Sequence, residues 1–421
     1  MTCHLQAAEC RSVLCSRSSQ PFARLALTGL ATALTAYASP GTAQDRYFQV
    51  SASTQYDDNL RRRPDDQRSE LPHNGSEIAT FVSLDAGIAA NFNLLTVRVD
   101  GNVGKRFFAY DNDLNSEEYR IGATADYQAQ SGSVSLEAVS SRQNLGFTDP
   151  IFRGTNIRQL NRVIAEGDRR IIGNLRLAAT ARYSASSSPD PVLSRANNNS
   201  YGYTLGLAYV SPLGNRLTVG YSDNRTESTN ERILVVDEAE IPYTGKATTR
   251  GVFGQIEYAP SVALAFDARV GYTWRDDRTI LDADFQGITY NGSVTWQPLE
   301  SVRIVAAANR SFSSNNELFA NGVEATSYSL EGTAVAAGRL TLTSLIRHDE
   351  RNFRFDLQDS VPALGPRTDR FWVYGAGARY MTGIGVAVGL NVNHVRIKDD
   401  AVSTTIKSNS VFLTLSRRFG F

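Results

Sequence analysis

The stretch Ser410-Val411-Phe412-Leu413-Thr414-Leu415-Ser416-Arg417-Arg418-Phe419-Gly420-Phe421 decides how the rest of the chain is read. Val411, Leu413, Leu415, Phe419 and Phe421 share one parity. On a strand one parity is one face. The stretch is therefore an amphipathic strand that closes on an aromatic residue, with no polar tail written after it.

The same alternation recurs upstream. From Val262 to Arg275, one face carries Val262, Leu264, Phe266, Ala268, Val270, Tyr272 and Trp274, and the other carries Asp267, Arg269, Thr273 and Arg275. Tyr201 to Tyr209, Ile288 to Trp296, Leu175 to Tyr183 and Val386 to Val392 repeat the pattern. After the first residues, no apolar run approaches the ~20 residues that a membrane helix requires. A soluble sandwich also alternates. These segments, however, reach the ~9–11 residues of a tilted membrane-spanning strand, beyond the usual ~5–6. Tyr127, Tyr183, Tyr272, Trp274, Trp296, Trp372 and Tyr380 stand at segment ends, where the interfacial girdles of a membrane barrel belong.

Turn chemistry divides the chain further. Tight connections are expected at Asn91-Phe92-Asn93-Leu94, Gln130-Ser131-Gly132-Ser133, Ile172-Gly173-Asn174, Ser211 to Asn215, Ala259-Pro260-Ser261, Gln297-Pro298-Leu299-Glu300, Ala337-Gly338 and Thr382 to Gly385. Longer polar connections alternate with them, near 57–77, 110–117, 144–158, 185–199, 223–248, 276–284, 312–325, 349–368 and 398–409. The fold class is all-β: a transmembrane up-and-down antiparallel barrel of about 18 strands, with short periplasmic turns and long extracellular loops. Asp168, Arg169 and Arg170 interrupt the alternation near 158–170, and loss of that hairpin would leave 16 strands. Ile233-Leu234-Val235-Val236 in the longest connection reads as an ordered surface loop; a lumen-folded segment or a small extracellular hairpin is the alternative. A terminal strand of this kind is what the barrel assembly machinery reads, so Phe419 and Phe421 are expected to be the assembly signal.

At the amino end, Arg17 and Arg24 precede the apolar run Leu25 to Ala38, and Gly41 and Ala43 fit a cleavage site. Residues 1–43 read as a secretory signal peptide and 44–421 as the barrel. The basic region ahead of Arg24 is long, so the true start is expected further downstream. Cys3, Cys10 and Cys15 all lie in the leader, so the mature chain is expected to hold no disulfide. Removing 1–43 takes three arginines and one glutamate from 43 basic and 43 acidic residues, leaving 40 and 42. That balance points away from nucleic acid. Lysines occur only at 105, 246, 398 and 407, and no function is read from their scarcity.

Site chemistry is sparse. His73, His348 and His394 are scattered without metal-ligand spacing, and no phosphate-cradling glycine loop occurs, so neither metal nor cofactor is expected. His348-Asp349-Glu350 reads as a solvated rim cluster rather than a catalytic base, and no enzyme activity is expected. Asp57-Asp58-Asn59 reads as a turn at the top of the first strand rather than a Ca²⁺ site. The informative residues are charges opposite the apolar face. Arg98, Arg120, Arg176, Arg182, Asp267, Arg269, Arg303 and Arg379 are the candidate pore-lining residues, with Asp100, Asp126 and Glu137 on the same parity. Facing lipid, each would cost ~2–4 kcal/mol at mid-membrane. Two readings stay open: arginines that select anions, and arginine–carboxylate ladders that stiffen the wall.

Gln55-Tyr56-Asp57-Asp58-Asn59-Leu60, the many-stranded pattern and the ending Leu415-Ser416-Arg417-Arg418-Phe419 resemble the putative β-barrel porin family, type 2. The resemblance implies a proteobacterial cell outer membrane barrel. It also implies an exit pore or accessory barrel for surface polysaccharide export, working with a separate periplasmic polysaccharide-export protein. The alternative is a general diffusion porin for small anionic solutes. Expected partners are outer-membrane lipid and the barrel assembly machinery, and not nucleic acid.

Overall fold

A computed structural model describes residues 44–69, 71–144, 157–190, 194, 197–230, 232–236, 239–243, 245–277, 285–313, 322–354, 367–399 and 404–420. The expected leader, 1–43, and Phe421 lie outside the described residues. The first strands are Gln44–Asp57 (β1), Glu77–Phe92 (β2), Leu95–Phe108 (β3), Ser116–Ala129 (β4), Gly132–Asn144 (β5), Ile157–Ile172 (β6), Leu175–Ser187 (β7), Asn198–Val210 (β8) and Arg216–Ser228 (β9). Arg232–Val236 (β10) and Ala239–Tyr243 (β11) pair only with each other. Then follow Lys246–Ser261 (β12), Leu264–Asp277 (β13), Phe285–Leu299 (β14), Val302–Ser313 (β15), Gly322–Ala336 (β16), Leu340–Arg354 (β17), Arg367–Met381 (β18), Val386–Asp399 (β19) and Thr404–Gly420 (β20).

Apart from the β10–β11 hairpin, the described strands form one closed 18-stranded antiparallel sheet. Each strand pairs with its neighbours in sequence, and β9 pairs with β12 past the hairpin. The ring shuts where β1 meets β20, in register from Tyr47↔Gly420 to Asp57↔Ser410. Closure leaves no strand edge with unpaired N–H and C=O groups facing hydrocarbon, where each would cost several kcal/mol. The two stretches that carry the family resemblance thus lie on the two strands of this seam, toward its opposite ends.

One end of the barrel holds short turns, such as 93–94, 130–131 and 173–174, and the other holds the long connections. At one turn Ala337 (φ 52°) and Gly338 (φ 67°) both adopt the left-handed conformation of a tight hairpin. Two expected turns are corrected. The strands run through Pro260 and Pro298 to Ser261 and Leu299, so the turns fall at Val262-Ala263 and Glu300-Ser301. The register shifts between Tyr258 and Ser261, and between Trp296 and Leu299. A proline, lacking an N–H, is tolerated at such an irregularity. The expected surface loop at 233–236 is also corrected, because it forms the β10 strand of a hairpin.

The 158–170 stretch is a full strand, β6, and it completes the count of eighteen. Asp168 does not break the alternation. It takes the inward parity and accepts hydrogen bonds from Arg176 Nη1 at 2.6 Å and from Ser133 Oγ. Inward polar and outward apolar positions alternate around the whole ring. Val82, Leu84, Val103, Ile121, Leu205, Val270, Leu390 and Leu413 point outward and are exposed. Outward Tyr127, Tyr209, Tyr258, Trp296 and Tyr380 mark the short-turn end, and Tyr56, Tyr201, Tyr203, Tyr328, Trp372 and Tyr374 mark the long-connection end. An apolar belt between two aromatic girdles is the surface that a bilayer requires. Inside, Gly87 lies under the ring of Tyr47, where any Cβ would collide with it.

Candidate functional site: the luminal wall

The pairing register places Arg98, Arg120, Arg176, Arg182, Asp267, Arg269, Arg303 and Arg379 on the inward parity of their strands. The structure separates these residues into two sets, a division that the sequence left open.

Over β3 to β7 the wall is a chain of cross-strand pairs. Arg120 is bridged to Asp100, Arg162 to Glu137 at 2.6 Å, and Arg176 to Asp168 at 2.6 Å. Asp126 accepts from Ser135 Oγ at 2.6 Å, and Asp85 accepts from Asn102 Nδ2 at 2.7 Å. Arg120 and Arg176 are therefore ladder members. Arg162 had not been singled out in the sequence. Its partner Glu137 lies 25 residues away, and only the β5–β6 register brings the two together.

Arg98, Arg182, Arg269, Arg303 and Arg379 have no carboxylate partner among the described residues. Arg98, Arg303 and Arg379 stand near the short-turn ends of β3, β15 and β18. Arg182 and Arg269 lie further along β7 and β13, and both line one recess of about 580 Å³. Its walls are rich in hydroxyl and amide groups, among them Ser200, Thr204, Ser222, Asn224, Thr249, Thr273, Thr289, Asn291 and Asn309, and they also include Asp223 and Arg310, which are ion-paired with Arg250 and Glu324. Arg269 is half-buried, with its guanidinium 3.5 Å from the centre of the Phe253 ring. That stacking holds the cation toward the recess and leaves its N–H groups available. Asp267, two residues away, faces inward without an ion pair among the described residues. Two cations in a wall rich in hydroxyls and amides can hold an anion and exchange hydrogen bonds with its hydroxyl groups.

The other candidates resolve differently. His348 does not join Asp349 in a rim cluster, because adjacent residues face opposite ways. His348 points outward and stacks on Trp372 at 4.3 Å, while Asp349 points inward to Ser327 Oγ at 2.6 Å and Arg347 at 2.9 Å. Asp57-Asp58-Asn59 is a turn with a further role. The Asp57 carboxylate accepts from the Asn59 N–H at 2.9 Å, Ser408 Oγ at 2.7 Å and Arg62 at 2.9 and 3.1 Å. Asn409 donates to both Asp58 oxygens at 2.7 Å. Asn59 Nδ2 donates to the carbonyls of Arg63 and Lys407, each at 2.8 Å. The triplet clasps the start of the first long connection to β20. At the other end of the seam, the Phe419 ring lies 6.2 Å from that of its cross-strand partner Phe48. Arg417 shares the outward parity, below the apolar belt, with its guanidinium 4.9 Å from the Phe419 ring.

Among solved structures, the chain is similar to OccAB3 of Acinetobacter baumannii, at 11% identity and TM-score 0.46, covering 90% of this chain and 99% of that one. It is similar to OpdK of Pseudomonas aeruginosa with vanillate, at 12% identity and TM-score 0.46, covering 89% and 99%. It is also similar to the FrpB iron transporter of Neisseria meningitidis, at 9% identity and TM-score 0.45, covering 84% and 63%. No curated protein sequence matches it. Residues 255–419, from within β12 into the end of β20, match the family model described as putative beta-barrel porin 2, so this part of the barrel is similar to that family.

Proposed function

We propose that this porin-like channel passes small hydrophilic solutes and prefers anions. The observation that carries the reading is the pair Arg182 and Arg269, which line one recess rich in hydroxyl and amide groups and have no carboxylate ion-pair partner among the described residues, the Asp223 carboxylate of that recess being paired with Arg225 and Arg250. In a water-filled barrel such cations raise the local anion concentration within a Debye length, ~8 Å at physiological salt. An 18-stranded barrel is wide enough for an aqueous lumen.

The test is the reversal potential across a salt gradient in a planar bilayer. The parent channel is expected to be anion-selective, and its selectivity should fall as salt rises. The double variant Arg182→Gln/Arg269→Gln should lose most of that preference while still folding, since glutamine facing water leaves no buried charge. Cation selectivity in the parent, or an unchanged double variant, would sink the proposal.

Surface-polysaccharide export is the second reading, favoured by the same wall of serine, threonine and asparagine, which also suits a passing sugar chain. It requires a separate periplasmic partner. A barrel that conducts only when such a partner is added would favour export over free diffusion.

A further inference from the structure

The wall around Arg269 follows a construction that recurs at the seam. Phe253 faces inward on β12, and the register places a glycine opposite it on each side, Gly220 on β9 and Gly271 on β13. A Cβ on Gly220 would stand 2.6 Å from the Phe253 ring, so the glycine is what lets the ring lie across β9. Arg269, two residues before Gly271, lays its guanidinium on that ring.

Tyr47 repeats every part. It faces inward on β1, with Gly87 of β2 opposite it on one side and Gly420 of β20 on the other. A Cβ on Gly87 would collide with its ring. Arg418, two residues before Gly420, places its guanidinium 4.2 Å from the ring centre. Arg269-Val270-Gly271 and Arg418-Phe419-Gly420 thus stand in the same relation to an inward aromatic on the neighbouring strand.

The construction gives a cation a seat. The ring fills the space that the glycine leaves, and the guanidinium stacks on the ring. Stacking occupies the flat face of the guanidinium and leaves the N–H groups at its edge to bind an anion. A carboxylate in reach cancels the effect. Arg106 lies 5.2 Å from the Phe81 ring, which lies over Gly104, but Glu118 bridges it at 2.8 Å. No carboxylate pairs with Arg418 among the described residues, including Asp45 on the same inward parity of β1. Arg418 is exposed at the short-turn mouth of the lumen, where Arg98 and Arg379 also face inward.

We propose that Arg418, seated on the Tyr47 ring, is a second anion subsite at the short-turn mouth. A small hydrophilic anion would meet it on the way to or from the recess of Arg182 and Arg269. The proposal rests on the channel reading above and adds to it a residue and a positioning ring on the far side of the barrel from the recess.

The full chain is tested by the reversal potential of a planar bilayer in a KCl gradient, a quantity that does not depend on how many barrels insert. Arg418→Gln should lower the chloride-to-potassium permeability ratio about twofold at low salt and change it little at molar salt, where screening is strong. Tyr47→Leu should cause part of the same loss without any change of charge, and Tyr47→Phe should keep the parent ratio. Tyr47→Leu/Arg418→Gln should lose no more than Arg418→Gln alone, because the ring acts through the cation. Heat-modifiable mobility checks the fold of each variant. Arg418→Gln alters an exposed side chain, so it decides the proposal even where Tyr47→Leu does not fold. A parent ratio retained by folded Arg418→Gln, or by folded Tyr47→Leu, would overturn the proposal and leave the recess reading standing. So would a Tyr47→Leu loss that adds in full to that of Arg418→Gln, since the ring would then act on the shape of the wall. A parent without anion preference would overturn both.

Discussion

Asp57→Ala should lower the stability of the folded barrel by about 3–5 kcal/mol, the cost of leaving a half-buried cation without its buried partner. The Asp57 side chain is 1% exposed and that of Arg62 is 17% exposed, so the guanidinium left behind cannot simply be rehydrated. Ser408 Oγ and the Asn59 N–H lose their acceptor at the same time. The clasp joins the first strand to the last, so its loss should open the seam before any other pair of strands. The measurement is the temperature at which the compact, heat-modifiable form converts to the unfolded form. Arg62→Ala and the double variant complete a cycle. If the two groups act as one pair, the double variant should be less destabilised than the two single losses combined. A strictly additive cycle would mean that the clasp is only a surface turn.

Leu413→Arg should cost about 2–4 kcal/mol, whereas Thr414→Arg, one residue along, should cost close to nothing. Leu413 is 48% exposed on the outward face of β20, within the apolar belt and opposite Leu390 of β19. Thr414 is on the inward parity, in the same row as Ser416 and Arg418. Urea unfolding of the barrel refolded into phospholipid vesicles reads the difference. Equal losses at the two positions would contradict the assignment of faces on which the luminal site depends.

Much of the architecture was legible because a barrel repeats one local rule. Period-two alternation specifies which face is wet at each strand, and it placed all eight candidate pore-lining charges on the inward parity without knowledge of their neighbours. The errors have physical causes. Pro260 and Pro298 suggested turns, but a ladder irregularity tolerates a residue without an N–H, so each strand runs past its proline. Asp168, Arg169 and Arg170 looked like an interruption because a luminal ion pair lacks the local signature of an apolar strand.

What the sequence determined by itself was the run of amphipathic strands, their approximate number, the alternation of short and long connections and the parity of each side chain. These follow from backbone geometry and hydropathy acting over a few residues. Register could not be read that way, because it arises between strands. It sets Arg120 beside Asp100 while leaving Arg269 against a ring and Arg182 in the same recess. It turns His348 outward toward Trp372 and opposes Tyr47 with Gly87 and Gly420. The chemistry of the luminal wall depends on which residues lie across from each other, and only closure of the sheet decided those partners, since a one-residue slip would have changed every pair.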